Sequence, residues 1–329
     1  MTRREFVAVV GAMGVVGLSG ASPAAHATAS PLADDTVFDW KPVAGPVRAG
    51  FGFGGNSTLI PGKDVAYLID TKNSPFGVTL RRAASAAGSK VVVINTHHHA
   101  DHTGGNHAFT KDCTVLAHEN CAARVEGNVN RYISQIKEAV GAFQGKKGPE
   151  IDQAKADWHA LYKDVTRLKA ADFRPNETAG ASRTIDTAGG SKLELRHFGP
   201  GHTDNDMIVF LPEYNVLVAG DLLFHKVHPY VDPDGGGSPR GWAESLRKVI
   251  AMCDRNTRVV PGHGELCGVD GLKGQVEYFD KVRAAVEKAI KAGKTRKQVA
   301  EMRMSFPGYA NPDRAPMALV GIYDELTKE

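Results

Sequence analysis

The stretch that decides the reading is Asn95-Thr96-His97-His98-His99-Ala100-Asp101-His102-Thr103-Gly104-Gly105-Asn106, which follows the apolar run Lys90–Ile94. It holds the pattern H-x-H-x-D-H at the end of a short buried strand. In extended backbone, residues two apart point the same way, so His97 and His99 can converge on one cation while His98 faces elsewhere. A turn at Ala100 then aims Asp101 and His102 at a second position. A purification-type tract would be homopolymeric and terminal; this one is internal and mixed with aspartate.

Three companions lie downstream. Gly199-Pro-Gly-His202 follows one predicted strand, Ala219-Gly-Asp221 closes another, and Val260-Pro-Gly-His263 closes a third. A single histidine or aspartate among them would ordinarily be a cap or a core residue. Three strand-end ligand types in glycine-flanked loops, after H-x-H-x-D-H, are hard to obtain by chance.

This set resembles the metallo-β-lactamase superfamily, with the pattern running from Asp70 through His263. The resemblance implies an α/β fold, a four-layer αββα sandwich with metals at one edge. It implies two Zn²⁺ ions, with Fe or Mn admissible for an imidazole and carboxylate donor set. His97, His99 and His202 then correspond to ligands of one ion, and Asp101, His102 and His263 to those of the other. Asp221 corresponds to the bridge, so Asp101 and Asp221 are the carboxylates with a catalytic part. Asp70 corresponds to an acceptor that orients the histidine loop. Gly220-Asp221-Leu-Leu-Phe224 is similar to the thioesterase and lactonase branches. The implied reaction is attack of a metal-bridged hydroxide on a small carboxylic ester, lactone, thioester or amide. β-Lactam hydrolysis is the alternative within the class; an iron-dependent sulfur oxygenase and a non-catalytic metal-binding protein are the others.

After Asp221, the loop through His225, Lys226, His228 and Tyr230 must leave the proposed metal edge. His225, His228 and Tyr230 are therefore substrate-pocket candidates, with loop packing as the alternative for the histidines. Gly50-Phe-Gly52-Phe-Gly-Gly55 satisfies G-x-G-x-x-G, but a strand pattern rather than a helix follows it, so nucleotide binding is not expected.

The 329 residues carry 42% hydrophobic and 23% charged side chains, an ordinary globular composition that excludes a disordered or disulfide-framework protein. Net charge is only +3, too small to suggest nucleic acid or an anionic membrane as partner. Cys113, Cys121, Cys253 and Cys267 lack C-x-x-C spacing, which excludes zinc-ribbon and thioredoxin-type readings; buried thiols or at most one incidental bridge are expected.

The amino terminus reads as an address. Arg3-Arg4-Glu5-Phe6, a weakly apolar run Val7–Leu18 and Ala25-His-Ala27 have the parts of a twin-arginine-type signal over residues 1–27. The apolar run falls short of the roughly 18–20 residues that span a bilayer. These features predict export by the twin-arginine machinery to a periplasmic or extracellular place, with no stable membrane insertion after cleavage.

Residues 28–45 then read as a linker, and residues 46–329 as the hydrolase domain with a helical insertion at about 118–170. Strands are expected at 57–60, 65–69, 90–95, 192–198, 206–211, 215–219 and 257–260. Helices are expected at 75–87, 118–144, 152–170, 239–253, 270–292, 295–304 and 314–327. Aromatic residues of the insertion (Tyr132, Phe143, Trp158, Tyr162) should mostly pack as core.

Overall fold

The structure, a computed structural model, describes residues 37–142, 165–187 and 190–328, together with Ala156, His159, Ala160 and Lys163. The signal, Phe143, Trp158, Tyr162 and about half of the expected helix at 152–170 lie outside the described residues.

The chain divides into two compact units. Among the described residues, the first unit holds a seven-stranded sheet. Its strands are β1 (Asp39–Ala44), β2 (Val47–Phe51), β3 (Ser57–Ile60), β4 (Val65–Ile69), β5 (Lys90–Ile94), β6 (Thr114–Ala117) and β7 (Glu177–Thr178), in spatial order of sequence. β1 to β4 pair antiparallel, and β4 to β7 pair parallel. The expected linker is thus corrected: β1 occupies its last residues. Phe38 and Val43 are buried on that strand or next to it, so a few apolar residues suffice to dock a segment whose composition reads as a lead-in.

Helix α1 (Gly77–Ala87) follows β4 and covers the sheet with Leu80 and Ala84, which pack with Leu59, Leu68, Val93 and Val115. The parallel crossover from β4 through α1 to β5 delivers the ends of both strands to the same side. There the histidine loop begins, and the short helix α2 (Ala100–Thr103) turns it back. Helix α3 (Glu119–Gly127) and helix α4 (Val129–Ala142) replace the single helix expected at 118–144. They form a second core cluster in which Cys121, Val125, Tyr132 and Ile136 meet Phe173.

The second unit has six strands among the described residues: β8 (Ser182–Asp186), β9 (Lys192–Arg196), β10 (Ile208–Leu211), β11 (Val216–Phe224), β12 (Arg258–His263) and β13 (Cys267–Gly268). Their order is β13-β12-β11-β10-β9-β8. Only β11 and β12 pair parallel, joined through helix α5 (Pro239–Ala251). β11 runs on past the expected 215–219 and is buried at all nine residues. Covered on both faces, it has no alternation to mark its length. Its register with β12 shifts at Gly220 and again before Phe224. Asp221 therefore lies within the strand, at an irregularity that re-aims side chains, rather than in a loop beyond it.

Helices α6 (Val269–Lys291), α7 (Arg296–Ala300) and α8 (Ala315–Lys328) complete this unit. Trp242, Leu246, Phe279, Val282, Leu319 and Ile322 form its core with the inner residues of β11. No helix among the described residues is long and apolar enough to cross a membrane. The four cysteines are unbridged thiols, but only Cys121 is buried as expected; Cys113, Cys253 and Cys267 are half-buried.

Candidate metal centre

In the first unit, β4 ends in Asp70, held at φ +62° with its carboxylate buried. That carboxylate organises the histidine loop. Thr96 donates to it twice, from its backbone N–H (2.8 Å) and its hydroxyl (2.8 Å). His102 Nδ1 lies 2.7 Å from Asp70 Oδ2. A carboxylate already accepting from Thr96 leaves the imidazole as donor, so the proton is on Nδ1 and the lone pair on Nε2. The same logic reaches His97. Thr96 Oγ1 spends its proton on Asp70, so the 3.1 Å contact with His97 Nδ1 has the ring donating. One aspartate thus sets the tautomer of two histidines, one directly and one through a threonine.

The loop is fixed from below by amides. Thr71 N–H donates to the His102 carbonyl at 2.7 Å, and Asn95 and Asn106 pair through both side chains. Thr103 Oγ1 bonds the His99 carbonyl and meets the Tyr132 hydroxyl at 2.8 Å. Burial raises the Tyr132 phenol well above its ordinary value, so it stays a neutral hydrogen-bonding group. His97 and His99 offer ligand-type atoms within 4.8 Å of one another, as do Asp101 and His102. His98, buried beside them, has its ring 4.7 Å from that of His99.

The glycine run 50–55 presses on this loop. Gly55 N–H donates to the Asp101 carbonyl, and a Cβ at Gly55 would lie 2.1 Å from the His102 ring. Only a residue without a side chain fits there. The run begins in the last two residues of β2 and leads into β3 rather than a helix, which removes the dinucleotide fingerprint on structural grounds.

In the second unit, His202 is fully buried after β9, and its Nδ1 donates to the Tyr230 carbonyl at 2.9 Å. Its Nε2 lies 3.4 Å from Asp221 Oδ2, and His263 Nε2 lies 3.3 Å from the same oxygen. One carboxylate oxygen therefore faces Nε2 of two histidines. Gly262 makes room for it: a Cβ there would come within 1.9 Å of Asp221 Oδ1. Behind His202, the Trp242 ring packs at 5.0 Å and its indole N–H donates to the Leu222 carbonyl. Phe224 stacks on His263. Burial pushes the nearby Asp206 carboxyl up to about 7, against the two hydrogen bonds it accepts from Thr203.

The pocket candidates separate. Tyr230 is 39% exposed, and its backbone orients His202. His225 is tied by Nδ1 to the Glu265 carbonyl. His228 is corrected to a packing residue: it is buried among Tyr278, Phe306 and Tyr309 and bonded to the Tyr278 hydroxyl. Thr96, Lys72 and Trp242 are supporting residues that the sequence did not single out. Only Thr96, adjoining the histidines, carried a local signal.

A divalent cation suits these donors. Each unit presents imidazole Nε2 and carboxylate oxygen, with Nδ1 held by an acceptor, the usual outer arrangement of metal-binding histidine.

The Metallo-beta-lactamase superfamily profile matches residues 50–263. The chain belongs to this superfamily. It is 26% identical over 174 residues to the metallo-beta-lactamase type 2 of Bacillus cereus, covering 53% of this chain and 52% of that one. It is 25% identical over 174 residues to the hydroxyacylglutathione hydrolase of Nitrosococcus oceani (strain ATCC 19707), covering 52% and 47%. The chain thus spans about half the length of these curated relatives. The solved structure of the DIM-1 metallo-beta-lactamase superposes with a TM-score of 0.51 at 17% identity, covering 73% of this chain and 95% of that one. That likeness establishes the two-sheet α/β fold.

Proposed function

We propose that the chain is an exported, zinc-dependent hydrolase of a small carboxylic ester, lactone, thioester or amide. In this reading His97, His99 and His202 hold one ion, Asp101, His102 and His263 hold a second, and Asp221 serves both. The observation that carries it is the shared tautomer control: Asp70 and Thr96 leave Nε2 of His97 and His102 as lone-pair donors, and the Tyr230 carbonyl does so for His202.

Bound zinc would supply an activated water near neutral pH and polarise the substrate carbonyl. The chain's own part is to orient the donors, to hold Asp221 where it can take a proton from the attacking water, and to keep the ligand rings immobile against Trp242 and Phe224. Tyr230 offers an exposed ring beside His202 for the substrate's apolar portion. A second reading, β-lactam hydrolysis, is supported by the likeness to the Bacillus cereus relative. Thioester hydrolysis is supported by the relative named for hydroxyacylglutathione.

A panel of lactones, thioesters and β-lactams assayed with metal-loaded protein separates these. Chelator should abolish turnover and Zn²⁺ restore it, with two zinc ions per chain by elemental analysis. Turnover that persists in metal-free protein would sink the proposal. Export rests on Arg3-Arg4 and the run that follows. Replacing both arginines with lysine should retain the full chain in the cytoplasm on fractionation; unchanged export would refute the twin-arginine route.

A further inference from the structure

Lys72 is fully buried, two residues after Asp70, in a segment whose composition offers no reason to bury a lysine. Its backbone has φ +60°, so the chain turns sharply here. Its ammonium donates to the carbonyls of Gly50 (2.9 Å) and Gly55 (2.8 Å), the two ends of the glycine run. The face of the Phe38 ring lies 5.2 Å from the same nitrogen. On its other side, the Lys72 carbonyl accepts from Gly105 N–H, within the helical turn that follows the histidine loop. One residue therefore holds both segments that flank His102.

Burying an ammonium is costly unless its donors are met by fixed acceptors, so a lysine here constrains the backbone that meets it. The constraint falls on Gly55. That residue already contacts the His102 ring so closely that a methyl group has no room, and its N–H bonds the Asp101 carbonyl. A run rich in glycine, without side chains to anchor it, would otherwise be free to lift away.

We propose that Lys72 is a positioning residue of the metal centre. By clamping Gly50 and Gly55 it presses the glycine run onto His102 and fixes the direction of an imidazole whose Nδ1 is already held by Asp70. The inference rests on the reading of His102 as a metal ligand. Asp70 sets which nitrogen is available; Lys72, through Gly55, sets where that nitrogen points.

The test uses the full chain loaded with Co²⁺, whose visible absorption reports ligand geometry, together with Zn²⁺ affinity from competition with a chromophoric chelator. Lys72→Met should keep the far-ultraviolet circular dichroism of the wild type, weaken the binding of one of two ions about tenfold or more, and change the Co²⁺ spectrum. Arg174→Met, which breaks an exposed pairing with Glu126 in the same unit, should leave both readouts unchanged. Gly55→Ala tests the clamp without touching Lys72. With the run held down, the methyl must displace the His102 ring, and the same ion should be lost. If the run were free to move, the methyl would be accommodated and affinity kept, which would overturn the proposal even where Lys72→Met does not fold. A folded Lys72→Met protein with wild-type affinity and spectrum would overturn it too. Failure of the wild type to bind either ion would instead overturn the reading of the metal centre, and with it this inference.

Discussion

At the residue scale, the candidate centre is organised by acceptors that choose histidine tautomers. Asp70 collects two donations from Thr96 and one from His102. Replacing it with asparagine removes the charge and presents an amide in place of one acceptor oxygen. Asp70→Asn should lower metal affinity 10–100-fold, the usual effect of losing such a partner, measured by chelator competition. Thr96→Val leaves the Asp70–His102 contact intact and removes only the route to His97. Its smaller loss should fall on the ion assigned to His97, and equal loss of both ions would contradict the relay. The histidines were legible because H-x-H-x-D-H is contiguous. Thr96 and Asp70 are 26 positions apart and meet only because β4 and β5 run parallel in register.

At the scale of elements, helices act as backing for the ligand-bearing loops. Trp242 on α5 is buried behind His202 and donates to the carbonyl of Leu222, the neighbour of Asp221. Trp242→Phe keeps most of the ring but leaves that carbonyl unsatisfied. It should cost about 1–3 kcal/mol in urea unfolding. His107, in the turn after α2, donates from Nε2 to the Ser74 carbonyl and is buried. Burial lowers its pKa below the ordinary 6.5, outweighing that hydrogen bond. The unfolded chain therefore binds the proton more tightly than the native state. The stability that depends on a neutral His107 is complete above about pH 6.5 and declines as pH falls below it. Unfolding midpoints should drop between pH 7 and 5, and His107→Gln should flatten that drop; an unchanged slope would assign it elsewhere. The elements themselves were legible where a strand alternates or a helix has an apolar stripe. β1, partly exposed along its length, and β11, buried throughout, show no such period.

At the scale of the whole molecule, ligand binding to the native state alone must appear as stability. Thermal unfolding of the full chain should shift downward with chelator and return with Zn²⁺; an identical midpoint in both conditions would argue against bound metal. The sequence by itself determined the superfamily and the mixed α/β class and pointed to the candidate ligands, because these are written in contiguous motifs and in their spacing after apolar runs. It also placed Asp221 and His263 after apolar runs, which is where their strands carry them. Only the tertiary structure decided what each group touches. It buried His228 under three aromatic rings, where a loop histidine after Phe224 had looked accessible. It also brought Lys72 beneath a glycine run some twenty residues earlier in the chain. Burial and long-range hydrogen bonds depend on how strands pair and helices cover them. The separation of the described histidines into proposed ligands, loop residues and core residues is therefore a property of the fold.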